Sequence, residues 1–582
     1  MKIVEPKQSV AALAITRKRY LMTDKNGRVI ETPGEMLWRV AQHMAKLDKS
    51  AAEEFYQLMV AKKFVCSGKA MFEAGNPGGS GQLAACFVLP IADSIDAIFK
   101  TLGQAAVVHK NNGGTGFNFS RIRPHGDKVK NVPHAASGPV DFIKAFSAAL
   151  SKILQGSKRQ GGNIAIVNAD HPDIKDFITM KAEDGTIKNF NVSVGATDAF
   201  MNAVAGKKPW RLINPRTKET ATTIRADKLF DLIAEYAWKT ADPGMAFLDT
   251  MERDNPTPTL GKLEATNPCG EIPLLPYESC NLGSINLSEH VSGGRVDWPN
   301  LKNTVAWGIR FLDNMVEVNN YPLEEIRRMV KDGNRRIGLG VMGLAHLFFK
   351  LGIPYNSEAA VKLSERLAKF IRQEADKATE KLGKERGNFG NYDVSVYAEK
   401  SKPRRNCATT MIAPTGTISL FADCSSGIEP IFALTTTRQT FFEDDKANRP
   451  TKAMVITDPV YQQFKDKYDR KVFVTSHEIG WQWHVKMQAA WQKYFDNSVS
   501  KTINFARDAT VKDVKGAYLL AWKLGCKGIT VYRDGSKADQ VLKNSDTVSQ
   551  WHGEACPECG HELIFKEGCS TCTKCGFSKC SL

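Results

Sequence analysis

The chain has 582 residues, 42% of them hydrophobic and 24% charged, with a formal net charge of +16. That balance suits a globular protein and excludes disordered, collagenous and helical membrane classes, while the length exceeds one ordinary core and calls for a large domain with appendages. The positive charge invites nucleic acid, but basic residues cluster only in short groups such as Arg17-Lys18-Arg19 and Lys158-Arg159, so phosphate-bearing small molecules fit better than a nucleic-acid partner.

Residues 1–50 read as a mixed, then helical segment, in which Pro33-Gly34-Glu35 opens an amphipathic helix through Met44. From 51 to 536 short apolar runs alternate with helical patterns, forming the main domain. Cys86 to Pro90, Asn163 to Asn168, Phe190 to Val194 and Thr409 to Ala413 read as strands. Val140, Ile143, Phe146, Leu150 and Ile153 recur at helical spacing, as do Leu229, Leu232, Ile233 and Tyr236. Such alternation predicts an α/β architecture with a mostly parallel sheet or barrel. The apolar stretch Val341 to Phe349 is broken by Lys350, and no secretory pattern precedes Thr16, so no membrane segment and a cytoplasmic location are expected.

Gly338-Leu-Gly340-Val-Met-Gly343, with Glu358 twenty residues on from Gly338 (358 − 338), matches a dinucleotide fingerprint and supplies a second reading, a nicotinamide-dependent oxidoreductase. A fingerprint follows a buried strand, whereas Glu324 to Arg336 is basic and polar, so close helix packing accounts better for these glycines.

Thirteen cysteines, an odd number, argue against a disulfide framework and for metal binding or catalysis. Residues 537–552 are polar and read as a linker, and 553–582 form a cysteine-rich tail. There Cys556-x-x-Cys559 and Cys569-x-x-Cys572 flank a β-like hairpin, a zinc-ribbon pattern, since tetrahedral Zn2+ takes four thiolates from two tight turns. Those four ligands leave Cys575 and Cys580 as a terminal dithiol that shuttles electrons to a disulfide elsewhere. Binding through Cys572 and Cys575 instead leaves Cys569 and Cys580 for that task, and spacing does not choose between the two. A third reading, a zinc-ribbon nucleic-acid binder without catalysis, has no need of the thiols that follow.

Asn267-Pro268-Cys269-Gly270-Glu271 places one thiol beside an amide and a carboxylate on a segment that cannot be helical. Cys280 follows eleven positions later (280 − 269), and Cys86 lies far upstream. If the three thiols meet, they make a site for cysteine radical and redox chemistry. Cys66, Cys407, Cys424 and Cys526 read as small buried hydrophobes.

Together, Asn267-Pro-Cys-Gly-Glu271, Cys280-Asn-Leu-Gly-Ser-Ile-Asn-Leu287, Gly113-Gly-Thr-Gly-Phe-Asn-Phe-Ser120, Ala413-Pro-Thr-Gly-Thr-Ile-Ser419, Ser425-Ser-Gly-Ile-Glu-Pro430 and Thr530-Val-Tyr-Arg-Asp-Gly-Ser536 resemble ribonucleotide reductase, and within it the class II, adenosylcobalamin-dependent branch. The resemblance runs from about residue 17 to the end. It implies a ten-stranded α/β barrel whose central finger loop carries Cys269 as the thiyl site, with Glu271 as general base and Asn267 on the ribose hydroxyls. Cys86 and Cys280 are implied as the reducing pair, reopened by the tail and recharged by a thioredoxin-like protein. Thr415, Gly416, Thr417 and Ser419 are implied to hold the substrate's phosphates, most simply those of a diphosphate. Lys158 and Arg159, on the counterpart of the specificity loop, are implied to respond to deoxynucleotide or ATP effectors at a homodimer interface. Class I enzymes import their radical from a partner subunit through adjacent tyrosines. Tyr532 stands alone here and no Tyr-Tyr pair occurs, so a radical source in place, with no second subunit, is expected. Only about fifty residues precede the main domain, so no overall on/off control is expected.

Overall fold

Ten strands form one mixed sheet: β1 (Phe64–Cys66), β2 (Cys86–Val88), β3 (Gly114–Asn118), β4 (Asn163–Asn168), β5 (Phe190–Ala196), β6 (Gly244–Phe247), β7 (Ser279–Asn286), β8 (Ile337–Met342), β9 (Thr502–Phe505) and β10 (Gly528–Arg533). Their order is β1-β7-β2-β3-β4-β5-β6-β10-β9, with β8 on the far side of β7. The computed structural model describes residues 2–155, 159–182, 187–440, 452–536, 563–566, 569–572 and 578–580. Strands β2 to β6 run parallel. The pairs β7–β8 and β9–β10 are each parallel and run opposite to that block, meeting it at β2–β7 and β6–β10. Single parallel bridges, Leu339 to Thr410 and Ile412 to Val499, lie between β8 and β9. Among the described residues no ladder closes the sheet.

The strand expected at Thr409 to Ala413 is therefore corrected to isolated bridges. The Asp496 carboxylate takes the amides of Thr409 (2.9 Å) and Thr410 (2.7 Å), which a ladder would otherwise need. Gly338 and Gly340 lie within β8, not in a turn after a strand as a dinucleotide fingerprint requires. A Cβ on Gly340 would stand 2.8 Å from the Met411 carbonyl oxygen, so close packing explains that glycine.

Helices fill the connections, as parallel strands require. Before the sheet come α1 (Val10–Arg19), α2 (Pro33–Met44) and α3 (Ala52–Val60). Thr32 and Glu35 form a capping box at the start of α2, with Pro33 in its first turn, as the sequence pattern predicts. The crossovers include α4 (Ile95–Lys110), α5 (Gly138–Leu150) and α6 (Ala226–Thr240). Alternation in β4 divides the core. Ala165 and Val167 join the large cluster under the helices, whereas Ile164 and Ile166 face inward with Val88, Ala246, Met411, Ala265, Ile272 and Leu274. The last three belong to the segment around Cys269, so that segment is packed inside the curve of the sheet.

In the tail, Leu563–Lys566 pairs with Cys569–Cys572, which pairs with Ser578–Cys580. Cys569 stands in register with Cys580, and Cys572 with Leu563. Cys556, Cys559, Cys575 and the linker 537–552 lie outside the described residues. No helix among those described is long and apolar enough to cross a membrane.

Candidate active site

The finger is a short ribbon in which Ala265–Thr266 pairs with Pro273–Leu274. Gly270, at φ +78°, closes its turn by donating its N–H to the Asn267 carbonyl at 3.0 Å. The Ser498 N–H donates to the Glu271 carbonyl at 2.8 Å, fastening the return strand. Glycines of the Gly113–Ser120 motif make room for it. A Cβ on Gly116 would lie 1.8 Å from the Thr266 carbonyl oxygen, and one on Gly114 would lie 3.0 Å from Cγ of Pro268. Gly116→Ala is accordingly expected to displace the finger and to lower whatever turnover depends on Cys269 by about 100-fold, the penalty of an ångström-scale misplacement. Steady-state assays alongside a thermal melt check this.

Three of the predicted catalytic residues converge. Asn267 Nδ2 donates to Cys86 Sγ at 3.3 Å. Its Oδ1 accepts the Ile272 N–H at 3.1 Å, which locks the amide orientation. Glu271 is 2% exposed, and among the described residues its Oε2 has no hydrogen-bond partner. Burial pushes its carboxyl up to about 7, only partly opposed by hydrogen bonds from Asn267 and its own backbone. Burial, with the Glu271 charge second, pushes the Cys86 thiol up to about 12, so Cys86 stays protonated at neutral pH. Cys280 stands opposite Cys86 in the β2–β7 ladder. Directly opposed antiparallel residues bring their Cα atoms to about 4.5–5.5 Å, within the range a disulfide spans.

Cys269 is exposed, on the wall of a cavity of about 880 Å3. Ser419 lies on the same cavity, whereas Thr415, Gly416 and Thr417 do not line it. Thr415 Oγ1 instead accepts the Gly427 N–H at 2.7 Å and shapes the loop, and the Thr417 hydroxyl lies against Tyr20. Ser419 Oγ stands 2.9 Å from Ser426 Oγ, which also lines the cavity. Arg159 sits in a hairpin, Leu154–Gln155 against Arg159–Gln160, and Lys158 lies outside the described residues.

Two groups escaped sequence reasoning. Glu429, in the Ser425–Pro430 motif, accepts the Thr502 N–H at 2.8 Å and pairs with Lys501 on the cavity wall. Lys69, in the short helix Gly68–Glu73, donates to the Asn111 carbonyl, and burial lowers its ammonium to about 7. A lone lysine in a helix this short carries no sequence signal of burial.

Residues 84–532 match the family model described as ribonucleotide reductase, barrel domain. The chain belongs to the ribonucleotide reductase family. The all-alpha domain model of the same family matches residues 6–79 of the reductase. It is 43% identical over 570 residues to a protein of Mycobacterium tuberculosis (strain CDC 1551 / Oshkosh) named vitamin B12-dependent ribonucleoside-diphosphate reductase, covering 93% of this chain and 81% of the relative. A Thermoplasma acidophilum protein of the same name is 41% identical, with 92% and 80% covered. A vitamin B12-dependent ribonucleotide reductase of Rhodopirellula baltica is 27% identical over 80% of this chain and 54% of its own length.

Proposed function

We propose that the chain is a class II reductase that converts ribonucleoside diphosphates to 2′-deoxyribonucleotides with adenosylcobalamin, in a cytoplasmic setting that keeps its thiols reduced. The observation that carries this reading is the bond from Asn267 to Cys86 and the buried Glu271 carboxyl, on the same short turn that carries an exposed Cys269. The bridges at Thr410 and Ile412 support closure of the ten strands into a barrel around the finger. We place the units at 1–50, 51–536, the linker 537–552 and the tail 553–582.

The cavity beside Cys269 has the volume for a large group. Its wall mixes apolar Met245 and Val531 with polar Asn504, Ser476 and His477, suited to an amphipathic ring bearing amides. Adenosylcobalamin, when bound, supplies the organic radical that takes the hydrogen atom from the Cys269 thiol. The resulting thiyl removes hydrogen from C3′, while Glu271 takes the 3′-hydroxyl proton and Asn267 holds the hydroxyl. Cys86, held protonated, gives its proton to the departing 2′-hydroxyl, which leaves as water. Cys86 and Cys280 supply two electrons and close a disulfide, and Cys269 returns hydrogen to C3′. The sum is ribonucleotide plus two thiols to deoxyribonucleotide, disulfide and water. Ser419 contributes a phosphate contact, and Thr415, Gly416 and Thr417 shape the loop around it.

Exposed Ile95 (61%) and Phe99 (55%) on α4, with α5 packed beside it, favour a homodimer. Deoxynucleotide or ATP effectors would act through the hairpin at Lys158 and Arg159. In the tail, the Cys569–Cys580 register favours that pair as the exchanging dithiol. Cys572 lies three residues, about 10 Å of strand rise, from Cys569. Zn2+ then falls to Cys556, Cys559, Cys572 and Cys575 instead of the set with Cys569. Cys580→Ser is expected to stop turnover with a thioredoxin-like reductant and to spare it with dithiothreitol. Cys575→Ser should lose the zinc, measured by metal analysis, whereas full zinc with lost turnover would return Cys575 to the shuttle.

The reading as a whole is tested by assaying CDP and CTP reduction with and without adenosylcobalamin, adding no second chain. Cofactor-dependent dCDP is expected. Reduction that proceeds without it, or only with another subunit, overturns the class II assignment.

A further inference from the structure

Pro268 is gripped from two sides. Its ring lies in a notch between Gly114, where a Cβ would come within 3.0 Å, and Gly162, where one would come within 3.6 Å. Its carbonyl, in the peptide that leads into Cys269, accepts Asn191 Nδ2 at 2.9 Å. Asn191 is the second residue of β5, and its side chain opens onto the cavity that Cys269 lines.

The start of β5 is itself held by buried polar groups. Asn189 Nδ2 donates to the Ser147 carbonyl on α5 at 3.0 Å. The Asn189 carbonyl accepts both the N–H and Nδ2 of Asn163, each at 3.0 Å. Asn163 Oδ1 in turn accepts Thr115 Oγ1 at 2.6 Å and stands 2.9 Å from His109 Nε2 on α4. Two helices and two strands thus place the backbone from which Asn191 reaches the finger. Removing the Asn191 amide breaks one bond to the loop and leaves that support intact.

We propose that Asn191 is a positioning residue for Cys269, holding the Pro268 carbonyl so that the thiol stands at hydrogen-transfer distance from its partners. This rests on the functional reading above. Transfer requires approach to about 3–3.5 Å, and a shift of about 1 Å costs about 100-fold in rate. A fixed carbonyl one bond before Cys269 sets that distance more directly than the walls of the cavity do. Substrate binding, by contrast, does not pass through this bond.

The test is Asn191→Leu, similar in shape but without a donor, with Asn191→Asp, which sets a carboxylate against the carbonyl. Each is assayed with CDP and with CDP deuterated at C3′, together with a thermal melt. The expected result is a fall in kcat of about 10- to 100-fold with KM for CDP within about threefold, an unchanged melting midpoint and a larger isotope effect. A kcat within about threefold of the parent and an unchanged isotope effect would overturn the inference. So would a loss of kcat matched by a raised KM and a lower melting midpoint, which marks a merely structural residue. If the parent protein reduces no CDP with adenosylcobalamin, the functional reading falls and this inference with it. If the parent turns over and Asn191→Leu matches it, only this inference falls.

Discussion

Cys269→Ser is expected to reduce CDP at less than about one-thousandth of the parent rate, a loss of about 4 kcal/mol or more of transition-state stabilisation. A serine O–H bond is far stronger than a cysteine S–H bond, so the hydroxyl cannot deliver and retrieve the hydrogen atom that the cycle needs. Size and polarity change little, and Cys269 is exposed at a turn closed by backbone bonds from Gly270, so the fold and its melting midpoint should survive. Single-turnover assays with folded variant check both halves of this expectation. Appreciable dCDP from Cys269→Ser would remove the thiyl site from this residue.

Glu271→Gln carries the second largest effect, a fall in kcat of about 10²- to 10⁴-fold, the usual contribution of a general base. The parent's kcat/KM should rise with pH through about 7, where burial has set the Glu271 carboxyl, and the variant should lose that limb. Stability moves the other way. The folded-state value is raised from its ordinary 4.5 to about 7, so the fold favours the protonated acid. That contribution is fully present below about pH 4.5 and is lost as pH rises through 7, amounting to about 3 kcal/mol. Glutamine, uncharged throughout, abolishes the loss. At pH 8 the variant should therefore be at least as stable as the parent in denaturant titrations, although it is nearly inactive. A parallel loss of stability would mean that the carboxylate holds the finger together instead of acting on substrate.

Much of this site is legible in the residues that make it. Pro268 and Gly270 force a turn whatever surrounds them, and the Thr32–Glu35 box announces α2. The β-branched run at Asn163 to Asn168 forms β4 with those bounds. What escaped depends on partners distant in sequence. Thr409 to Ala413 has the composition of a strand, yet the Asp496 carboxylate takes the amides of Thr409 and Thr410. The glycines of Gly113–Ser120 show their purpose only with Thr266 and Pro268 laid against them. Asn191 has no local mark at all, since its partner, the Pro268 carbonyl, is 77 residues away. The loop expected to hold phosphates is partly legible: its turn is present, but of its four residues only Ser419 reaches the cavity. Glu271 is the instructive case, because a carboxylate on a loop normally stays solvated, and the packing of Ile272 and Leu274 inside the sheet accompanies the burial that raises its carboxyl to about 7.

The division of labour among the thiols is tested most directly by one turnover without external reductant, in a variant with Cys569, Cys575 and Cys580 replaced by serine. The register of Cys86 with Cys280 and the bond from Asn267 to Cys86 lead to a definite expectation. One dCDP should form per chain, and peptide mapping should recover a Cys86–Cys280 disulfide with Cys269 still a thiol. Formation of dCDP with Cys86 and Cys280 both reduced, or with Cys269 trapped in the disulfide, would contradict it.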